Sequence, residues 1–288
     1  MRPSSKFAID KKAEVFYKVF SEKKNPIFTL LIKEWETEFL KRKFGFLDIC
    51  HADCASFENM LIHDILDELL AFADENAFSI TETHCDSSAI TLIPILEEKG
   101  FRMVDTRISF VTLIEKPLPR RYSAEIGDIS FAEMKDLEAI LDLTHKSFTD
   151  NRAFFSRYKN RDYFTRNETK KYYAMWIENY IADKNTLFAI TKYKEQLAGY
   201  SFFYSSGSIG DIKLYKAILT AVDPDFQGHK THLSMQTFLI DQIPEDTFYL
   251  DNTTQLTNFP AIKNSIISRK SLDSISMIFY RQNLKNLT

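Results

Sequence analysis

The stretch Ala221–Leu233, AVDPDFQGHKTHL, decides how this chain is read. Ahead of it runs AILTAV (Ala217–Val222), apolar enough to be a buried strand. Behind it runs LSMQTFLI (Leu233–Ile240), whose apolar residues recur at helical spacing. Pro224 stops the strand, and Gly228, one of only seven glycines in 288 residues, lets the backbone turn and approach a ligand. A helix that starts here presents N–H groups without intrahelical partners at the positive end of its dipole. Such a start is an anion site, and a pyrophosphate suits it. The plainer alternative is an ordinary strand–helix turn with Gly228 serving the turn alone. The loop by itself leaves both open.

Composition narrows the class. Lys and Arg number 37 against 40 Asp and Glu, a net charge of −3, which gives no general electrostatic drive toward nucleic acid. Apolar runs such as IFTLLI (27–32) are far too short to cross a bilayer. The opening MRPSSKFAID has no apolar segment behind its basic residue, so no secretory signal is read there. Three cysteines, Cys50, Cys54 and Cys85, make no disulfide framework, and the cytoplasm is the expected compartment. Nothing in the sequence speaks to oligomeric state.

Working outward, EKPLPRRYSAEIGDIS (115–130) reads as the seam between two domains, because Pro117 and Pro119 favour extended backbone and no apolar period crosses them. The expected domains are 1–119, a smaller α/β unit, and 120–288. In the first, FLDICHA (46–52) and FSITETHC (78–85) read as strands around a helix over 57–76; a short helix ending at Gly100 and one long strand, or a strand pair, over 102–114 follow. In the second, Ser130-Phe-Ala-Glu133 and Thr165-Arg-Asn-Glu168 each fit a capping box opening a helix. Strands over 186–193, 198–206 and 215–222 follow, then the opening loop with its helix, a strand over 247–254, a helix over 258–270 and a last strand over 274–281. The expected order is α-α-β-β-β-α-β-α-β. Both halves end in strand, short helix and final strand, which hints at a duplication.

The pattern Val222-x-Pro224-x-Phe226-Gln227-Gly228, followed one strand later by Asn258-Phe-Pro-Ala261 opening a helix, resembles the GCN5-related N-acetyltransferase (GNAT) superfamily. Within it the chain is most similar to enzymes that acylate dTDP-linked amino sugars, which carry a tail like SMIFYR and a helix like YYAMWIENYIADKN. The resemblance implies a mixed, mostly antiparallel sheet, preceded by a domain akin to half that fold. It also implies transfer of an acyl group, acetyl or a short hydroxyacyl such as 3-hydroxybutanoyl, from acyl-CoA to a sugar amine in surface polysaccharide (lipopolysaccharide O-antigen) assembly. The partners so implied are acyl-CoA and a dTDP-amino sugar, with no metal, nucleic acid or membrane.

Carried onto this chain, the resemblance assigns the pantetheine to backbone groups of Leu219, Thr220, Ala221 and Val222, with Val222 as oxyanion donor. Gln227, Gly228, His229, Lys230, Thr231 and His232 would surround the pyrophosphate; Asn258 and Ala261 would line the pantetheine. Two departures stand out. The family's loop, Gln/Arg-x-x-Gly-x-Gly/Ala, has Lys230 and His232 at its small positions. Ser265 holds the position where the family often has a tyrosine that protonates the leaving thiolate.

By position on their strands, Asp251 and Tyr215 are candidate bases; the plainer readings are a strand-end carboxylate and a half-buried aromatic. For the acceptor, the long stretch 146–167 interleaves Arg152, Arg157, Arg161 and Arg166 with Phe155, Tyr158 and Tyr163. Arginine grips a diphosphate and an aromatic stacks on a base. Arg152, Phe155, Tyr158, Tyr163 and, on the next helix, Tyr173 are the substrate candidates, against a solvated loop pinned by aromatics. Cys50-His51-x-x-Cys54 with His84-Cys85 offers metal-ligating types, but their spacing is not a standard zinc knuckle, and no metal is expected. A GNAT working on a peptide or antibiotic amine, or a CoA-binding module without turnover, remains the alternative.

Overall fold

The structure is a computed structural model that describes residues 15–20, 26–50, 59–89, 91–119, 121–123, 125, 127–151 and 154–283. In chain order the strands are β1 (Val15–Phe20), β2 (Pro26–Ile32), β3 (Lys43–Ile49), β4 (Phe78–Asp86), β5 (Arg102–Glu115), β6 (Asp128–Phe131), β7 (Thr186–Tyr193), β8 (Gln196–Ile209), β9 (Ile212–Val222), β10 (Thr247–Gln255) and β11 (Leu272–Gln282). The helices are α1 (Glu34–Leu40), α2 (Asn59–Glu75), α3 (Leu92–Glu98), α4 (Leu137–Thr144), α5 (Arg166–Ala182), α6 (Thr231–Gln242) and α7 (Phe259–Ile267). None of the described helices is long and apolar enough to cross a membrane.

The chain divides into two compact units, one of Met1–Thr106 with Ile275–Thr288, the other Arg107–Ser274. The prolines read as the seam lie inside the second unit, because β5 is already paired with β10 from Gln255↔Arg107 to Thr247↔Glu115. β11 in turn pairs with β4 in the first unit, from Ser276↔Asp86 to Gln282↔Ile80. The repeated order noticed in the sequence is therefore a repeated topology. An antiparallel meander (β1-β2-β3, and β7-β8-β9) is followed by a helix and a parallel strand (α2-β4, and α6-β10), and each set is completed by the other's last strand.

In the first unit the strand order is β1-β2-β3-β4-β11. Ile62, Ile65, Leu66, Leu69 and Ala73 of α2 recur at helical spacing and bury against Phe28, Leu47, Phe78 and Phe279 of the strands. Each such side chain contributes about 1.5–3 kcal/mol when fully buried. Pro94 sits in the first turn of α3, where the missing N–H takes nothing from the helix ladder.

In the second unit the order is β5-β10-β9-β8-β7-β6, antiparallel throughout except β9 with β10. The expected order lacked β6. Ser130 does not cap a helix: it pairs with Ile190 in β6, and the capping box is made three residues later by Glu133 and Asp136. The box at Thr165 and Glu168 forms as read. Leu239, Ile240 and Ile243 pack the α6 side of this core against Ala189, Phe203, Phe248 and Leu250.

Candidate functional site

β9 and β10 run side by side only from Tyr249↔Leu214 to Asn252↔Ala217. Beyond that, β10 stays with β5 as far as Gln255, and β9 stays with β8 as far as Val222, so the two strands part. The β8–β9 register steps from Phe203↔Ala217 to Phe202↔Leu219 and skips Ile218, a bulge at the point where the split begins. The Asp223 N–H bonds Ala198 O in β8 at 2.9 Å. Strand alternation then turns the N–H and C=O of Thr220 and Val222 to the side β10 has left. Leu219 and Ala221 face β8 instead, so half of the predicted pantetheine strand offers its backbone to the gap.

The quoted loop follows. Asp223, 6% exposed, caps a short turn by accepting from Asp225 N at 3.0 Å. Gly228 has φ +89° with nothing within 4 Å of where a Cβ would stand, so its role is backbone conformation within open space. Lys230 precedes the helix in the left-handed region (φ 57°), and α6 has no side-chain cap. That conformation explains the glycine usual at this position in the resembling family; here a lysine adopts it at a cost. Lys230 Nζ lies 2.5 Å from Glu125 Oε1, and His229 Nδ1 3.8 Å from Glu125 Oε2. The Lys230 hydrogen bond first of all, and its charge, hold the Glu125 carboxyl below its ordinary range.

His232 points inward. Its Nδ1 accepts from Asn264 Nδ2 of α7 at 2.8 Å, which leaves a proton on Nε2, buried without a partner among the described residues. Burial, and then the charge of Lys270, push its pKa down to about 3. Thr231 Oγ1 bonds Phe226 O at 3.3 Å, and Gln227 Nε2 reaches Val222 O at 3.3 Å. Asn258 caps α7 by accepting from Ala261 N at 3.4 Å, so these two residues act together at the helix start.

At the apex of the split, Asp251 and Asn252 face opposite sides of the sheet. Asp251 accepts from Ser109 Oγ (3.1 Å) and Thr253 Oγ1 (2.8 Å), with Lys216 Nζ 3.9 Å away. Asn252 Nδ2 donates to Ser265 Oγ at 2.8 Å, and Ser265 is 1% exposed. Tyr215 is placed elsewhere: it pairs with Leu250 on the still-joined part of the strands, and its hydroxyl donates to Glu245 at 2.9 Å. Burial first, then Glu245, push its pKa up to about 12. Gln236 and Lys270, which the sequence reading missed, join Asn252 and Ser265 in one hydrogen-bonded group, buried except for the partly exposed Lys270. Their signal was polar residues on otherwise apolar faces of α6 and after α7.

The stretch 146–167 is more internal than expected. α4 continues as a π-helical turn over His145–Asp150, and Lys146 there grips Asp223. The Tyr158 hydroxyl accepts from Tyr172 (2.6 Å) and Arg157 (2.7 Å), while those of Tyr173 and Ser156 pair at 2.9 Å. Tyr158, Tyr163 and Tyr173 are buried, and Phe155 is 45% exposed. Arg152 lies outside the described residues. In the first unit Cys85 is fully buried and donates to Asp86 and Ala89 carbonyls, its thiol pushed up to about 11 by burial and then by Asp86. His84 alternates to the opposite face, 2.6 Å from Glu82, so those two do not converge; His51 and Cys54 lie outside the described residues. Among the described residues no three His, Cys, Asp or Glu side chains are grouped to hold a metal.

No family model matches the sequence, and no curated protein resembles it. Solved structures do. The crystal structure of a GCN5-related N-acetyltransferase from Sphaerobacter thermophilus is similar over 96% of this chain and 82% of its own, with a TM-score of 0.63 at 9% identity. The fold is that of the GCN5-related N-acetyltransferases. A tandem GNAT protein from the clavulanic acid biosynthesis pathway is similar over 92% of this chain and 82% of its own, TM-score 0.53 at 10% identity. Saccharomyces cerevisiae N-myristoyltransferase with bound myristoyl-CoA is similar over 92% of this chain and 69% of its own, TM-score 0.50 at 10% identity. At such identities the likeness is one of fold, and the chemistry must be argued from the site.

Proposed function

We propose that the second unit is an acyl-CoA-dependent N-acyltransferase. The observation that carries this reading is the parting of β9 and β10 at a bulge, beside an uncapped helix start. An open strand edge pairs with the amide groups of a pantetheine arm, and free N–H groups at a helix N-terminus donate to its pyrophosphate. The residues fit such a ligand. Thr220 and Val222 turn backbone groups to the gap, Gly228 leaves space at the loop, and the buried Nε2–H of His232 wants an acceptor.

In this reading a neutral amine attacks the thioester carbon, forming the C–N bond. The oxyanion so made takes a hydrogen bond from a gap-facing N–H, Val222 or Thr220. The proton lost by nitrogen goes to Asp251, on the last stretch of β10 still joined to β9. The C–S bond then breaks and its electron pair leaves on sulfur as the CoA thiolate.

For the acceptor we retain the amine of a dTDP-linked amino sugar, with acetyl or a short hydroxyacyl as the group moved. What supports this is the resemblance of the segment from α5 to β11, together with exposed Phe155 beside Arg157. The test is thiol release from acetyl-CoA and 3-hydroxybutanoyl-CoA with dTDP-3-amino and dTDP-4-amino deoxyhexoses, peptides and aminoglycosides as acceptors. Fast release with one sugar nucleotide supports the whole reading. Release only with another amine keeps the enzyme and discards the sugar. CoA binding without release from any acceptor leaves a binding module.

A further inference from the structure

Residues between β5 and β6 are spaced along α6, all within the second unit. Lys116 Nζ donates to Ile243 O just beyond the C-terminal end of the helix, and Arg121 pairs with Asp241 in its last turn. The Tyr122 N–H donates to Thr237 Oγ1 at 3.3 Å, one turn earlier. Glu125 then reaches Lys230 and His229, immediately before the helix. The contact points descend from 243 through 241 and 237 to 230. These residues therefore run antiparallel to α6 and deliver one carboxylate to the loop that opens it.

That loop offers several donors to an anion. α6 starts without a side-chain cap, so its first N–H groups have no partner within the helix. In its first turn the His232 Nε2–H is shut off from solvent and has no acceptor among the described residues. Space around Gly228 is open, with nothing within 4 Å of where a Cβ would stand. The anion that the structure holds at this loop is Glu125, with Oε1 2.5 Å from Lys230 Nζ and Oε2 3.8 Å from His229 Nδ1. A carboxylate and a phosphate seek the same donors, and their like charges repel.

We propose that Glu125 is an intramolecular competitor for the phosphates of the acyl donor: its carboxylate occupies Lys230 and His229 in the free protein, and a phosphate-bearing donor binds there only once it has swung away. The proposal rests on the acyl-CoA reading above. Arg121 and Tyr122, fixed to α6, keep the carboxylate close by, so it returns to Lys230 as CoA leaves and keeps the product from holding the loop. The competition is modest, because the Glu125 and Lys230 side chains are 42% and 52% exposed. An exposed pair of ordinary strength leaves the loop free in about a sixth to two-fifths of the molecules, and donor affinity falls by the same fraction.

The experiment measures binding of CoA and of pantetheine to the full chain by calorimetry. It compares the unsubstituted protein with Glu125→Gln, Lys230→Met and the double variant. Glu125→Gln is expected to bind CoA about two- to sixfold more tightly than the unsubstituted chain. Pantetheine, which carries no phosphate, is expected to bind both equally. Most of the gain from Glu125→Gln is expected to vanish when Lys230 is already Met. CoA affinity unchanged or weakened in Glu125→Gln overturns the proposal, as does an equal gain for pantetheine or a gain that survives in full without Lys230. The CoA comparison decides alone where pantetheine binds too weakly to measure. If neither the unsubstituted chain nor Glu125→Gln binds CoA, the acyl-CoA reading falls, and this proposal with it.

Discussion

The Nζ of Lys146, on the π-helical turn that extends α4, lies 2.8 and 3.0 Å from the two carboxylate oxygens of Asp223, the residue at which β9 gives way to the loop. The pair ties the turn after α4 to the loop that opens α6. The Lys146 side chain is half exposed, so Lys146→Ala costs at most about 1 kcal/mol. Asp223→Ala also removes the cap on Asp225 N and leaves the Lys146 charge without its partner, at about 1–2 kcal/mol. Urea denaturation of both variants measures the difference. In the acyl-CoA reading Asp223→Ala also raises the KM for the thioester, because the loop loses its anchor.

Lys230 stands in the left-handed region immediately before α6. Glycine adopts that conformation freely and alanine does not. Lys230→Gly and Lys230→Ala remove the same contact to Glu125, so the comparison isolates the backbone. The glycine variant is expected to be the more stable by about 1 kcal/mol in thermal or urea unfolding. Equal stability would show that the backbone here is not left-handed.

His232 and Lys270 make opposite pH predictions. The folded-state pKa of His232, about 3, is below its ordinary 6.5, so the unfolded chain binds a proton first as pH falls. Stability is whole above pH 6.5 and is lost toward pH 3, by up to about 1.4 kcal/mol per pH unit from this one group. Lys270, held at about 7 against an ordinary 10.5, carries a proton in the unfolded chain but not in the folded one between those values. Its contribution therefore rises with pH from 7 to 10.5. Unfolding free energy measured across pH should lose its acid limb in His232→Leu and its alkaline rise in Lys270→Met.

The β7–β8 hairpin turns on Lys194 and Glu195, with φ of 47° and 65°. A two-residue hairpin with both φ values positive favours Asn-Gly. The double variant Lys194→Asn, Glu195→Gly is expected to stabilise the second unit by about 1 kcal/mol. An unchanged or lowered melting temperature would count against this turn geometry.

Much of the second unit could be read from local pattern. The strands from 186 to 222, α6, β10, α7 and β11 follow from apolar periodicity, Pro224 and the cap at Asn258, because each depends on residues adjacent in sequence. β6 was missed since its four residues, Asp128–Phe131, carry little apolar signal and become a strand only by pairing with β7. Pro117 and Pro119 lie inside the second compact unit, and β5 and β11 take their places by pairings made far along the chain.

By itself the sequence determined most of the element order of the second unit and a glycine loop at the start of a helix. Local steric rules and hydrophobic spacing are enough for those. Only the tertiary structure decided where β9 and β10 part, that Tyr215 lies on their joined side, that Tyr158 and Tyr173 spend their hydroxyls inside, and that Lys270, Gln236, Asn252 and Ser265 meet. Those four come from three elements and the turn after α7, and no spacing along a chain encodes a hydrogen bond between groups that only sheet pairing and helix packing bring within 3.5 Å.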